Sequence, residues 1–175
     1  MRQQWGTPTR VLAVLLVSVL AALGACSDED PPRSTSTLPR SEQFTVLDLL
    51  GRDGQFIPFR EVVTAGQQDA LLSGAGPVTL IAPDRTAVTP ELVASLSADP
   101  AAAAAFVRRH TLEGRYPYQD LLRLGGSTVR TVDGRELPVT VEGTTVTVGG
   151  ATLRKFDIGA ANGVIHVTDG TVPAA

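Results

Sequence analysis

The C-terminal part of this 175-residue chain is punctuated by glycine at a spacing that suits short antiparallel strands. Asp133-Gly134, Glu142-Gly143 and Gly149-Gly150 separate stretches such as Val139-Thr140-Val141 and Val146-Thr147-Val148. Glycine in these pairs supplies the positive φ of a tight hairpin, and Val/Thr alternation suits a pleated surface with one buried face. The pattern predicts an antiparallel meander, completed by a last strand from Gly163 to Thr168. Pro138 has no N–H to give to a ladder, so it has to lie at an edge or a bulge.

The preceding residues follow a helical rhythm. Phe44, Val46, Leu47, Leu49 and Leu50 predict a short helix stopped by Gly51. Phe56, Phe59, Val62 and Val63 repeat at near-helical spacing, with Pro58 tolerable only in the first turn. Gln67 to Leu72 predicts a third short helix, and Pro77 to Ala82 a strand buried on both faces. Thr89-Pro90-Glu91 and Asp99-Pro100 are helix starts, each with a capping side chain before a proline. The second leads into Ala101 to Ala105 and ends on Arg108 and Arg109, where the helix dipole favours cations. Helices first and strands last make an α+β chain rather than a doubly wound sheet.

The N-terminus has a separate logic. Arg2 and Arg10 precede an apolar run from Val11 to Ala25, whose 15 residues fall short of the roughly 20 that span a bilayer. A basic start, a short apolar run and small residues before a cut describe a secretory signal over residues 1–25. Leu23-Gly24-Ala25-Cys26 resembles the lipobox of bacterial lipoproteins. That resemblance implies cleavage between Ala25 and Cys26, a palmitate-type diacyl group on the Cys26 thiol, and a chain anchored on the extracytoplasmic face of the cell membrane, with partial shedding as a second fate. Residues 26–40, acidic and then rich in Pro, Ser and Thr, predict an anchor and disordered tether averaging roughly 20 Å in span. The domain proper is expected over residues 41–175. Without residues 1–25 the chain has 13 basic and 18 acidic side chains, a net charge of −5.

Several chemistries are disfavoured. One cysteine makes no intrachain disulfide, and with two histidines it makes no Cys/His zinc pattern. A mildly acidic chain is a poor nucleic-acid binder. The sequence contains no GxSxG elbow, Walker loop, post-strand GxGxxG or HExxH. The expectation is therefore no catalytic activity, no cofactor and no metal. His110 closes the Ala-rich helix, and His166 faces away from Ile165 and Val167, so both are read as structural.

Asn162-Gly163-Val164-Ile165-His166-Val167-Thr168-Asp169-Gly170, followed by Pro173, resembles the second signature of the fasciclin domain, of the form NGVIHVIDGVLLP. Gly76 to Pro83 (GPVTLIAP) is similar to its first signature, and Phe106 to Tyr116 falls where the family has its LLxYHVVPGxY stretch. The likeness covers about residues 41–175. It implies a twisted β-sandwich or wedge with helices packed along it, a tight turn at Asn162-Gly163 needing positive φ, and structural hydrogen bonds at Asp157, His166 and Asp169. Asn162, Gly163, His166 and Asp169 are thus the structural signature. Ile81 and Val88 replace family aromatics, and Arg109 replaces the tyrosine implicated in adhesion for some animal members.

With 14 arginines against Lys155 alone, the composition suggests a high-GC actinobacterial source. The implied function is a non-catalytic adhesion or interaction module, a monomeric domain meeting an unknown protein or glycan. Arg109, Tyr116 and Tyr118 form its candidate interaction surface, with at least one of the two tyrosines expected in the core. The alternative is a carrier holding a hydrophobic lipid between helices and sheet, which needs an apolar pocket of roughly 300 Å³ or more.

Overall fold

The computed structural model describes residues 43–174. The signal segment, Cys26 and the tether lie outside the described residues.

Five helices precede or interrupt the first two strands. They are α1 (Val46–Arg52), α2 (Ile57–Ala65, entered through a 3-10 turn at Gly54–Phe56), α3 (Asp69–Ser73), α4 (Pro90–Ser97) and α5 (Pro100–Arg109). Their starts follow local chemistry. Thr45 and Asp48 form a reciprocal capping box on α1, while Thr89 accepts from Leu92 N and Asp99 from Ala101 and Ala102 N. Pro58, Pro90 and Pro100 all sit in first turns. Gly51 does not stop α1. The helix continues to Arg52 and ends where Asp53 turns extended and caps the following 3-10 turn instead.

The strands are β1 (Val78–Pro83), β2 (Thr111–Glu113), β3 (Thr128–Arg130), β4 (Glu136–Glu142), β5 (Thr145–Val148), β6 (Ala151–Ala160) and β7 (Gly163–Thr168), with α6 (Tyr118–Arg123) between β2 and β3. They form one sheet in the order β2-β1-β7-β6-β5-β4-β3. From β3 to β7 it is the expected meander, with Val139↔Val148 and Val141↔Val146 in register. Gly134, Gly143, Gly149 and Gly150 all take positive φ at its turns. β1 then pairs parallel to β7 on one side and antiparallel to β2 on the other. Leu112 bridges to Thr131, and Val132 N–H donates to Thr111 O at 2.8 Å, so the two ends of the sheet meet in a nearly closed wedge.

Pro138 lies between neighbouring strands rather than on a free edge. Its carbonyl accepts from Gly149 N–H. The ring nitrogen faces the same strand, so the reciprocal bond from residue 138 to Gly149 is the one that proline withholds, at the end of the β4–β5 ladder.

Two cores result. Phe59, Val62 and Val63 of α2, Phe106 and Val107 of α5, and Leu50 of α1 pack on Leu80, Ala82, Ile165 and Val167 from one face of β1 and β7. Inside the wedge, Ile81, Leu112, Leu121, Leu137, Val139, Val146 and Val148 meet Tyr118 and Val172. The alternation along β1 explains why it is buried throughout: Leu80 and Ala82 serve one core and Ile81 the other. A fully buried side chain of this size contributes about 1.5–3 kcal/mol, so both faces matter to stability.

Candidate interaction surface

The buried polar side chains of this fold are used internally. Asn162, at the β6–β7 turn, accepts from Val46 N at 2.8 Å and donates to Leu72 O at 2.9 Å and Gly74 O at 2.8 Å. One side chain thus fastens the start of α1 and the end of α3 to the sheet. Gly163 beside it does not adopt positive φ, contrary to the expected turn. Glycine is required there by proximity, because a Cβ would stand 2.0 Å from Val78 O on β1.

His166 faces away from the helical core. Its Nε2 lies 2.8 Å from Tyr116 O, and its Nδ1 accepts from Asp157 N at 3.4 Å, an assignment fixed by these partners. His110 uses the opposite tautomer: Nδ1 donates to Phe106 O at 2.7 Å and Nε2 accepts from Val172 N at 2.9 Å. Both rings are fully buried. Burial pushes the His110 imidazole down from 6.5 to about 4, against the opposing pull of the Phe106 carbonyl, and burial lowers His166 as well.

The sign follows from the neutral ring being the form the fold accepts. Stability is complete above pH 6.5, where the unfolded imidazole is neutral too, and is lost as pH falls towards about 4. The His110 contribution is on the order of 3 kcal/mol. Denaturant midpoints measured from about pH 7.5 to 4.5 should fall steeply below 6.5; a flat profile would contradict the assignment.

Asp157 lies in β6 with a φ of 57°, within the second of two register shifts in its pairing with β7. Its carboxylate accepts from Tyr118 N at 2.8 Å, and its own N–H reaches His166. These contacts hold a left-handed backbone that costs an ordinary residue on the order of 1 kcal/mol. Asp169 accepts from Thr152 N at 3.2 Å and pairs with Arg154.

The three candidate surface residues separate. Tyr118 belongs to the core: it is 9% exposed, its hydroxyl donates to Thr144 O, and its ring stacks on Phe156 at 3.9 Å. It is removed from the surface because α6 turns it into the wedge. Tyr116 is half-buried, with its N–H on Thr79 Oγ1 and its carbonyl on His166. Arg109 is half-buried too, with its guanidinium 5.3 Å from the Phe106 ring centre.

Among the described residues, the large exposed apolar side chains are Phe156 (44%) and Ile57 (53%), which sequence reasoning missed. The available signal for Phe156 was a lone aromatic in the charged run Arg154-Lys155-Phe156-Asp157. A cleft of about 470 Å³ lies between α2 and α4, lined by Pro58, Glu61, Arg85, Val88 and Val93 among others. A second, of about 500 Å³, lies beside β4 and the C-terminal residues Val172 and Pro173. The layer between helices and sheet, where the carrier alternative places its ligand, is filled by Phe59, Phe106, Leu80 and Ile165. Among the described residues, no three His, Cys, Asp or Glu side chains gather as metal ligands.

The Fasciclin domain family matches residues 54–172, more than half of the chain. The chain belongs to the fasciclin domain family. This fasciclin chain is 31% identical over 131 residues to an uncharacterized protein of Synechocystis, covering 73% of this chain and 96% of that one. It is 30% identical over 128 residues to the transforming growth factor-beta-induced protein ig-h3 of Sus scrofa, and 30% over 141 residues to stabilin-1 of Mus musculus. Those matches cover 71% and 76% of this chain but only 18% and 5% of the animal proteins. A FAS1 domain pair from the insect cell adhesion molecule Fasciclin I shares the fold, with a TM-score of 0.66 at 18% identity over 76% of this chain and 52% of that chain. The fasciclin fold here is α+β, a wedge with helices along it.

Proposed function

We propose that this fasciclin protein is a non-catalytic interaction module displayed at the cell surface, where it meets a protein or glycan, and held there by a lipid on Cys26. The observation that carries the reading is its fold, shared with a domain pair from an insect cell adhesion molecule. The disposition of polar groups supports it: Asn162, His110 and His166 are spent on internal hydrogen bonds, so contact with a partner falls to the exposed side chains. The arginine-rich composition supports an actinobacterial source.

The anchor reading rests on Leu23-Gly24-Ala25-Cys26 after a short apolar run. Each buried acyl methylene contributes roughly 0.8 kcal/mol, so two or three chains hold far more firmly than one. Labelled palmitate should enter the wild-type chain in the membrane fraction, and Cys26→Ser should lose both label and membrane association. A Cys26→Ser chain that stays in the membrane fraction overturns the anchor.

A further inference from the structure

A groove runs along the surface between α2 and α4. Its wider part, of about 470 Å³, has Val88, Val93 and Ala94 among its largely apolar walls. A hollow of about 350 Å³ shares Pro58 and Arg85 with it and reaches Gly54 and Ile57. Ile57 opens α2 and is 53% exposed, so an apolar knob stands beside an apolar recess on one surface. Two opposite charges line the same groove, Glu61 on α2 and Arg85 in the turn after β1. Their neighbours are engaged elsewhere: Arg60 pairs with Asp69 at 2.8 Å, and the Asp84 carboxylate accepts from Thr86 and Ala87. The Glu61 and Arg85 side chains form no ion pair or hydrogen bond among the described residues, with each other or with any neighbour.

We propose that this groove joins two copies of the chain about a two-fold axis, with Ile57 seated in the recess of the partner subunit and Glu61 paired with Arg85 of the partner subunit. A two-fold interface uses the same patch twice, so it has to be self-complementary. One unanswered anion, one unanswered cation, a knob and a recess meet that condition, because each finds its opposite on the second copy. Contact with that copy also removes the exposed Ile57 side chain and the apolar walls from water. A patch bounded by two short helices falls at the small end of protein interfaces, so the pairing is weak, with a dissociation constant on the order of 0.1 mM. A pair departs from the expected monomer and depends on neither the anchor nor the adhesion partner.

The test is sedimentation equilibrium of the full chain carrying Cys26→Ser, from about 10 μM to about 1 mM. The parent should fit a monomer–dimer equilibrium. Ile57→Asp, Glu61→Arg and Arg85→Glu should each weaken it at least about tenfold, with unchanged thermal midpoints. Mixing the Glu61→Arg chain with the Arg85→Glu chain should restore dimers, since each contact then again joins a guanidinium to a carboxylate. Pairing within one chain cannot produce that rescue. The proposal is overturned by a monomeric mass throughout, by variants that associate like the parent (as they would through the apolar run of residues 11–25), or by a mixture no more associated than its components.

Discussion

Replacing Gly163 by alanine is expected to lower the stability of this domain by about 4 kcal/mol. The added Cβ would lie 2.0 Å from Val78 O, 3.0 Å from Val78 C and 3.2 Å from Val78 Cγ2. The first two are backbone atoms of the adjacent parallel strand, paired with Gly163 itself, so rotamer changes cannot relieve the clash. Relief requires β1 and β7 to part by more than 1 Å, at the position where both helical and wedge cores are attached. Gly51→Ala is the control. It sits in α1 with nothing within 4 Å of the new Cβ, and should raise stability by roughly 0.5–1 kcal/mol through helix propensity. Urea midpoints moving in opposite directions for the two variants would support the close-approach argument. Equal small losses would refute it.

The second large effect is expected at Asn162. Truncation to alanine removes an acceptor from Val46 N–H and a donor from the carbonyls of Leu72 and Gly74, in a residue only 7% exposed. Each buried backbone group left without a partner costs about 1–3 kcal/mol, so a total loss of about 3–5 kcal/mol is expected. Asn162→Asp keeps the acceptor for Val46 but turns a carboxylate oxygen towards two carbonyls. It should therefore rescue nothing at neutral pH. Hydrogen exchange gives a second readout, since the first turn of α1 and the end of α3 should lose protection before the meander does. An Asn162→Asp protein as stable as the parent would show that the amide donor is dispensable.

Much of the architecture was legible because it is locally determined. The caps Thr89 and Asp99, the hairpin glycines and the limits of β7 all depend on chemistry within a few residues. The parallel pairing of β1 with β7 was not legible, since it joins segments more than eighty residues apart through backbone bonds that leave no periodic trace. The same pairing explains the misread Gly163, whose constraint comes from Val78 rather than from its own turn. Tyr118 was placed on the surface, and Phe156 was missed, for a related reason. The double register shift in β6 carries Phe156 outward over the buried Tyr118, and a bulge cannot be anticipated from alternation alone. Arg109 was legible as a helix-end cation, but its unpartnered Nε is a property of the packed neighbourhood.

An anchored surface module that meets a partner should hold cells in place under shear. Cells of three strains are compared on a surface coated with envelope or host material: one with the wild-type protein, one lacking it, and one with Cys26→Ser. Firm attachment of the wild-type strain and equal loss in the other two are expected, with the Cys26→Ser protein recovered folded in the medium. Undiminished attachment of the strain lacking the protein would contradict that expectation.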